Sequence, residues 1–75
     1  MRRYIVTWQH PSGAGLNSRV ECEAPTPIAA ARIAKRAFMG SAWGGVLTVT
    51  EADNPDAMPE RYRVERTRLR RLRPV

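Results

Sequence analysis

Histidine, cysteine and phenylalanine each occur once in this 75-residue chain, at His10, Cys22 and Phe38. A single cysteine excludes an intramolecular disulfide and a cysteine-based zinc site. The fold must stand on packing alone, which suits a reducing cytoplasm. No apolar run approaches the length of a membrane span. The opening MRRYIVTWQHP begins with positive charge, but its apolar run ends by Gln9, short of a signal-peptide core. Acidic residues are also scarce: 7 against 13 basic ones, a formal charge of +6. The length suits one domain. A domain of this size buries only roughly 60% of its unfolded surface, which leaves little room for a deep pocket beside a core. These limits favour a module that acts through its surface over a self-contained enzyme.

Catalytic constellations are thin as well. His10 stands beside Pro11 in a glycine-containing loop, without the positioned second partner that acid–base chemistry needs. Cys22 falls on the inward register of a strand, where an inert thiol is expected. Glu21 and Glu23 share the outward face of that strand, and their plainer role there is to solubilise it. GSAWGG (Gly40–Gly45) has glycines but no Walker lysine or spacing. The expectation is therefore no catalysis, no metal and no cofactor.

Basic charge is plentiful, and it is concentrated at one end. Residues 60 to 75 carry Arg61, Arg63, Arg66, Arg68, Arg70, Arg71 and Arg73 against two glutamates, a net +5. The rest of the chain contributes +1. Such an end attracts phosphate, acidic protein surfaces or anionic membranes, while its plainer role is solubility.

Alternation marks four strands. Arg3–Trp8 turns Tyr4, Val6 and Trp8 to one side and Ile5 to the other; Ser18–Ala24 turns Val20, Cys22 and Ala24 inward. Val46–Ala52 and Arg61–Arg66 follow, the latter with Tyr62 and Val64 inward. A flexible loop, Gln9–Asn17, joins the first two. Between the second and third lies a helix, Thr26–Gly40. Thr26 is its N-cap, Pro27 its first helical residue and Gly40 its stop. Ala30, Ile33, Ala34, Ala37 and Phe38 form the expected inward stripe, with Ile33 and Phe38 as anchors. Arg32, Lys35 and Arg36 face outward, either as a partner-binding surface or as the ordinary wet side of an amphipathic helix. Trp8 and Trp43 are further interface candidates whose plainer place is the core.

The order β-β-α-β-β predicts a two-layer α+β fold, one helix packed on a mainly antiparallel four-stranded sheet. Residues 1–66 make the domain and 67–75 a basic C-terminal tail. In the tail Leu69 and Leu72 are three apart, read as a frayed helical turn or loose chain.

The stretches Tyr4-Ile5-Val6, Cys22-Glu23-Ala24, Ala30–Ala34 (enclosing Arg32-Ile33-Ala34) and Val46–Thr50 stand in a recognisable order. Over residues 3 to 52 the chain resembles small phage-encoded ββαββ anti-CRISPR proteins, inhibitors of type I-F CRISPR surveillance complexes. It is also similar to small phage and plasmid proteins of the DpnD/PcfM kind. The resemblance implies an inhibitor in the host bacterial cytoplasm that wedges along the CRISPR RNA-bound backbone subunits and blocks target-DNA recognition. It implies a cationic surface linked to non-specific DNA association, and it points to Arg32, Lys35 and Arg36. The Gln9–Asn17 loop and the arginine-rich end depart from the pattern. The alternative is a small DNA- or RNA-binding phage protein that uses the helix face and the C-terminal arginines without sequence specificity, since no base-reading motif is present. A structural phage protein with an acidic partner is a third possibility.

Overall fold

Strand alternation decides which side chains meet the helix. In the computed structural model the described residues are 1–10, 17–38, 44–65 and 68–73. They form β1 (Arg2–Gln9), β2 (Asn17–Ala24), α1 (Pro27–Ala37), β3 (Val46–Glu51), β4 (Glu60–Val64) and β5 (Leu69–Leu72). The strands make one antiparallel sheet in the order β2-β1-β3-β4-β5. The α+β class and the single helix on an antiparallel sheet follow the sequence pattern. The sheet has five strands rather than four.

The fifth strand comes from the segment expected to be a tail. Glu65 donates its N–H to the Arg68 carbonyl (2.9 Å), which closes a hairpin onto β4. Leu69 pairs with Val64 and Leu72 with Arg61. Opposed residues of an antiparallel pair share a face, so Leu69 joins the core and Leu72 the opposite side. Two leucines three apart are thus one per face of a strand, not a helical turn.

Tyr4, Val6, Trp8, Leu47, Val49, Tyr62 and Val64 are buried on the helix side, with Ala24 beside them. Each large side chain among them contributes about 1.5–3 kcal/mol. The helix begins as its residues dictate: Thr26 Oγ1 accepts the Ala29 N–H (3.3 Å), and Pro27 follows in the first turn. It ends with Phe38 as C-cap, whose N–H reaches the Ala34 carbonyl at 2.9 Å. The predicted stop at Gly40 lies outside the described residues, as do Met39 and Trp43.

The buried stripe is Ala30, Ala31 and Ala34. Ile33, expected as an anchor, is 42% exposed, and Ala37 is exposed as well. Tyr4, Trp8 and Tyr62 rise from the sheet and fill the space beneath the helix, so the helix contributes methyl groups there. Phe38 is half-buried and stacks on Trp8, centroids 6.0 Å apart with planes at 22°. At the start of β3, Gly44 and Gly45 have φ of 91° and 77°, conformations that only glycine adopts cheaply. Both address Val64 (Gly44 N–H to Val64 carbonyl, 2.9 Å; Val64 N–H to Gly45 carbonyl, 3.1 Å), and Gly44 accepts the Trp8 indole N–H at 3.1 Å.

Candidate nucleic-acid interface

One face of the sheet carries the helix, and no described element covers the other. That open face follows from the register. Across its middle runs a row, Arg19–Thr7–Thr48–Arg61–Leu72, one residue from each strand. Below it, Gln9, Val46, Arg63 and Arg70 stand in line across β1, β3, β4 and β5. Above it lie Glu21, Ile5 and Thr50. Arg19 and Arg61 are about 14 Å apart, three strand spacings.

The C-terminal arginines, read as one basic segment, are divided by this alternation. Arg61 and Arg63 project from the open face of β4 because Tyr62 and Val64 are held in the core. Arg70 joins them from β5, directly opposite Arg63. Arg71 lies opposite Tyr62 on the helix side, where Glu60 holds it at 2.7 Å. Arg68 pairs with Glu65 at 3.0 Å. Arg73 is exposed just beyond β5, and Arg66 lies outside the described residues. Arg63, Arg70, Arg71, Leu72 and Arg73 border an open depression of about 530 Å³.

Ion pairs neutralise arginines on both sides of the sheet, Arg2 on the helix side and Arg3 with Glu21 at the upper end of the open face. Arg2 is bonded to Glu51 (2.6 Å) and Arg3 to Glu21 (3.3 Å). The Glu51 hydrogen bond, aided by the same carboxylate's charge, raises the Arg2 pKa above its ordinary value. Arg19, Arg61, Arg63 and Arg70 form no ion pair among the described residues. Like charges directly opposite on neighbouring strands cost up to about 1 kcal/mol, so the Arg63–Arg70 pair stores a repulsion that a bound anion would relieve.

Arg32 and Arg36 are exposed one turn apart on the outer side of α1, and Lys35 is half-buried on its flank. These residues and the open sheet face lie on opposite sides of a two-layer domain. They are two cationic surfaces, not one. Arg2 and Arg3 do not extend the helix charge, since each is engaged by a glutamate of the sheet.

Thr7, Thr48, Arg19 and Leu72 enter the open face without having been singled out as site residues. The outward phase of Thr48 was legible in VLTVTE; the partnership of Thr48 with Arg61 needed the β3–β4 register. All the described tyrosine and tryptophan rings lie on the other side: Tyr4, Trp8 and Tyr62 are buried beneath the helix.

His10 packs edge-on against Trp8, centroids 5.3 Å apart. Cys22 is half-buried, its thiol directed to the Ala30 carbonyl at 3.9 Å, and burial raises its pKa. Among the described residues no cluster of three or more His, Cys, Asp or Glu could hold a metal ion, and no helix is long and apolar enough to cross a membrane. A second cleft, beside the helix N-terminus, is lined by Tyr4, Met58, Glu51 and Glu60. Its two carboxylates are already engaged by Arg2 and Arg71.

No protein-family model matches the chain, and neither curated proteins nor solved structures show a significant match to it.

Proposed function

We propose that this is a non-catalytic binding module that docks on nucleic acid, free or within a ribonucleoprotein, through the open face of its sheet. The observation that carries this is Arg63 directly opposite Arg70, beside Arg61, with none of the three paired to a carboxylate among the described residues. Guanidinium forks suit phosphate oxygens, and the Thr7 and Thr48 hydroxyls between the arginines can donate to the same backbone. The described part of this face holds no aromatic ring on which an unstacked base could lie. Single strands are commonly held by such stacking. The arrangement therefore favours the phosphates of a duplex, bound without regard to sequence.

The test is fluorescence anisotropy with a labelled duplex and a single strand of equal length, over a range of salt. Each phosphate contact contributes about 0.9 to the slope of log K against log salt on duplex. Replacing Arg63 and Arg70 by Gln should weaken duplex binding and reduce that slope by about 2. Replacing Arg32 and Arg36 by Glu should change it far less. A slope unmoved by the sheet substitutions would refute the assignment.

A second reading rests on the outer helix face, where Arg32 and Arg36 are exposed without an ion-pair partner among the described residues. This face lies within the stretch that resembles phage anti-CRISPR inhibitors. On that reading the protein acts in the host bacterial cytoplasm and blocks target-DNA recognition by a type I CRISPR surveillance complex. Target-DNA capture by the purified complex distinguishes the two: Arg32→Glu with Arg36→Glu should abolish inhibition, while the Arg63 and Arg70 substitutions should spare it. Absence of inhibition by the unaltered protein across type I subtypes would exclude this second role.

A further inference from the structure

The strand order leaves two sheet edges, β2 and β5. Exposed edges template pairing with another chain unless something blunts them. β5 is blunted: it is four residues long, Arg70 and Arg71 occupy its middle, and Arg68 and Arg73 flank it. A second copy there would set arginine against arginine. β2 differs in that its exposed charges, Arg19, Glu21 and Glu23, are of both signs, so a second copy can oppose them without setting like charges together. The strand is eight residues long, pairs with β1 without a bulge, and contains neither proline nor lysine.

The groups it offers can be named. Arg3 accepts the Ala52 N–H at 3.0 Å, so the odd-numbered residues of β1 bond toward β3 and the even-numbered ones toward β2. In β2, Ser18, Val20, Cys22 and Ala24 therefore bond inward to β1. Asn17, Arg19, Glu21 and Glu23 direct their N–H and C=O groups at the free edge.

We infer that a second copy of this chain pairs antiparallel along β2, about a twofold axis at Val20, to join two five-stranded sheets into one. Charge selects this partner and this register. With the axis at Val20, Arg19 of each copy lies opposite Glu21 of the other, a carboxylate that Arg3 of its own chain also contacts at 3.3 Å, and no like charges are opposed. An axis at Glu21 sets two Glu21 carboxylates together, and one at Cys22 sets Glu21 against Glu23.

The helix supplies an independent observation. The Cys22 thiol beneath the Ala30 carbonyl places that flank of α1 over β2. Ile33 and Ala37, three and seven residues beyond Ala30, continue along the same flank. Both are exposed, and Ile33 is the large apolar side chain left uncovered on a regular element among the described residues. Ile28 and Lys35, on the opposite flank, are half-buried. A twofold axis perpendicular to the sheet keeps both helices on one side, with their Ile33 flanks turned toward each other above the half-buried Val20 and Cys22. Dimerisation does not require nucleic acid, although Arg19 belongs to both surfaces.

Sedimentation equilibrium of the full chain from micromolar to millimolar concentration tests it, with circular dichroism confirming that each variant is folded. A monomer–dimer equilibrium is expected. Arg19→Glu or Glu21→Arg alone should weaken dimerisation about tenfold, because both symmetry-related pairs become repulsive. The two together should restore it. Register is read separately by Val20→Cys in a Cys22→Ser background, which places two thiols across the axis at a spacing that admits a disulfide. A covalent dimer should form on mild oxidation, and Glu21→Cys in the same background should form one far more slowly. A monomer at every concentration would overturn the proposal, as would a dimer that the double exchange fails to restore or faster crosslinking at position 21.

Discussion

The placement of the helix makes Ala34 and Ile33, adjacent in sequence, respond in opposite ways to substitution. Ala34 is fully buried against the sheet, whereas Ile33 is 42% exposed. Ala34→Leu forces a larger side chain into a closed layer occupied by Trp8, Val6 and Leu47. Overpacking of this kind costs about 1–3 kcal/mol. Full truncation of a buried isoleucine costs about 2–5 kcal/mol. With much of Ile33 already in water the loss is a fraction of that, and alanine returns a few tenths of a kcal/mol in helix propensity, roughly 0.5. The net change for Ile33→Ala should stay within about 1 kcal/mol. A domain of this length has a total stability of roughly 4–11 kcal/mol. Each kcal/mol moves its melting temperature by about 4–8 °C. Thermal melts and urea titrations, each run at two protein concentrations, read the difference directly. Ala34→Leu should melt clearly lower and Ile33→Ala close to the parent. The reverse order would mean that the helix presents its Ile33 face to the sheet, and the core described above would be wrong.

Three further outcomes follow from particular contacts. Trp8→Phe removes the indole N–H that reaches the Gly44 carbonyl and should cost about 1–3 kcal/mol in urea unfolding, since that carbonyl is part-buried; an unchanged midpoint would deny the bond any role in holding the glycine turn. Burial raises the pKa of Cys22, and burial with the nearby Glu60 charge raises that of Tyr62. Both groups are favoured in their neutral forms by folding, so their contribution is complete below the unfolded values of about 8.5 and 10 and is lost as pH climbs through the higher folded ones. Tyr62→Phe should flatten the alkaline limb of the stability curve, and an identical limb would refute this assignment. Glu60→Gln frees Arg71 from its 2.7 Å partner at the margin of the arginine-lined depression. It should strengthen duplex binding and add up to about 1 to the salt slope, with little effect on stability because such exposed pairs are worth about 0–1 kcal/mol; weaker binding would place the nucleic acid elsewhere.

Short-range pattern specifies the elements whose cause is local. The N-cap at Thr26 with Pro27 after it, the inward phase of Tyr4, Val6 and Trp8, and the inward Tyr62 and Val64 are all written in short-range pattern, because capping and pleat periodicity act over a few residues. Three things waited for the tertiary structure. The helix rotation was ambiguous, since Ala30 and Ala34 fit either of two neighbouring stripes; the volume of the sheet's aromatic side chains chose the narrower one and left Ile33 outside. The fifth strand was hidden because Leu69 and Leu72 serve different faces, and their pairing partners lie on another strand. The candidate site was legible as charge but not as a surface. Seven arginines near one end of the chain were visible from composition, yet only the cross-strand register could send Arg61, Arg63 and Arg70 to an open face and give Arg68 and Arg71 to nearby glutamates. Charge is a property of residues. Whether it is neutralised depends on which strands lie side by side.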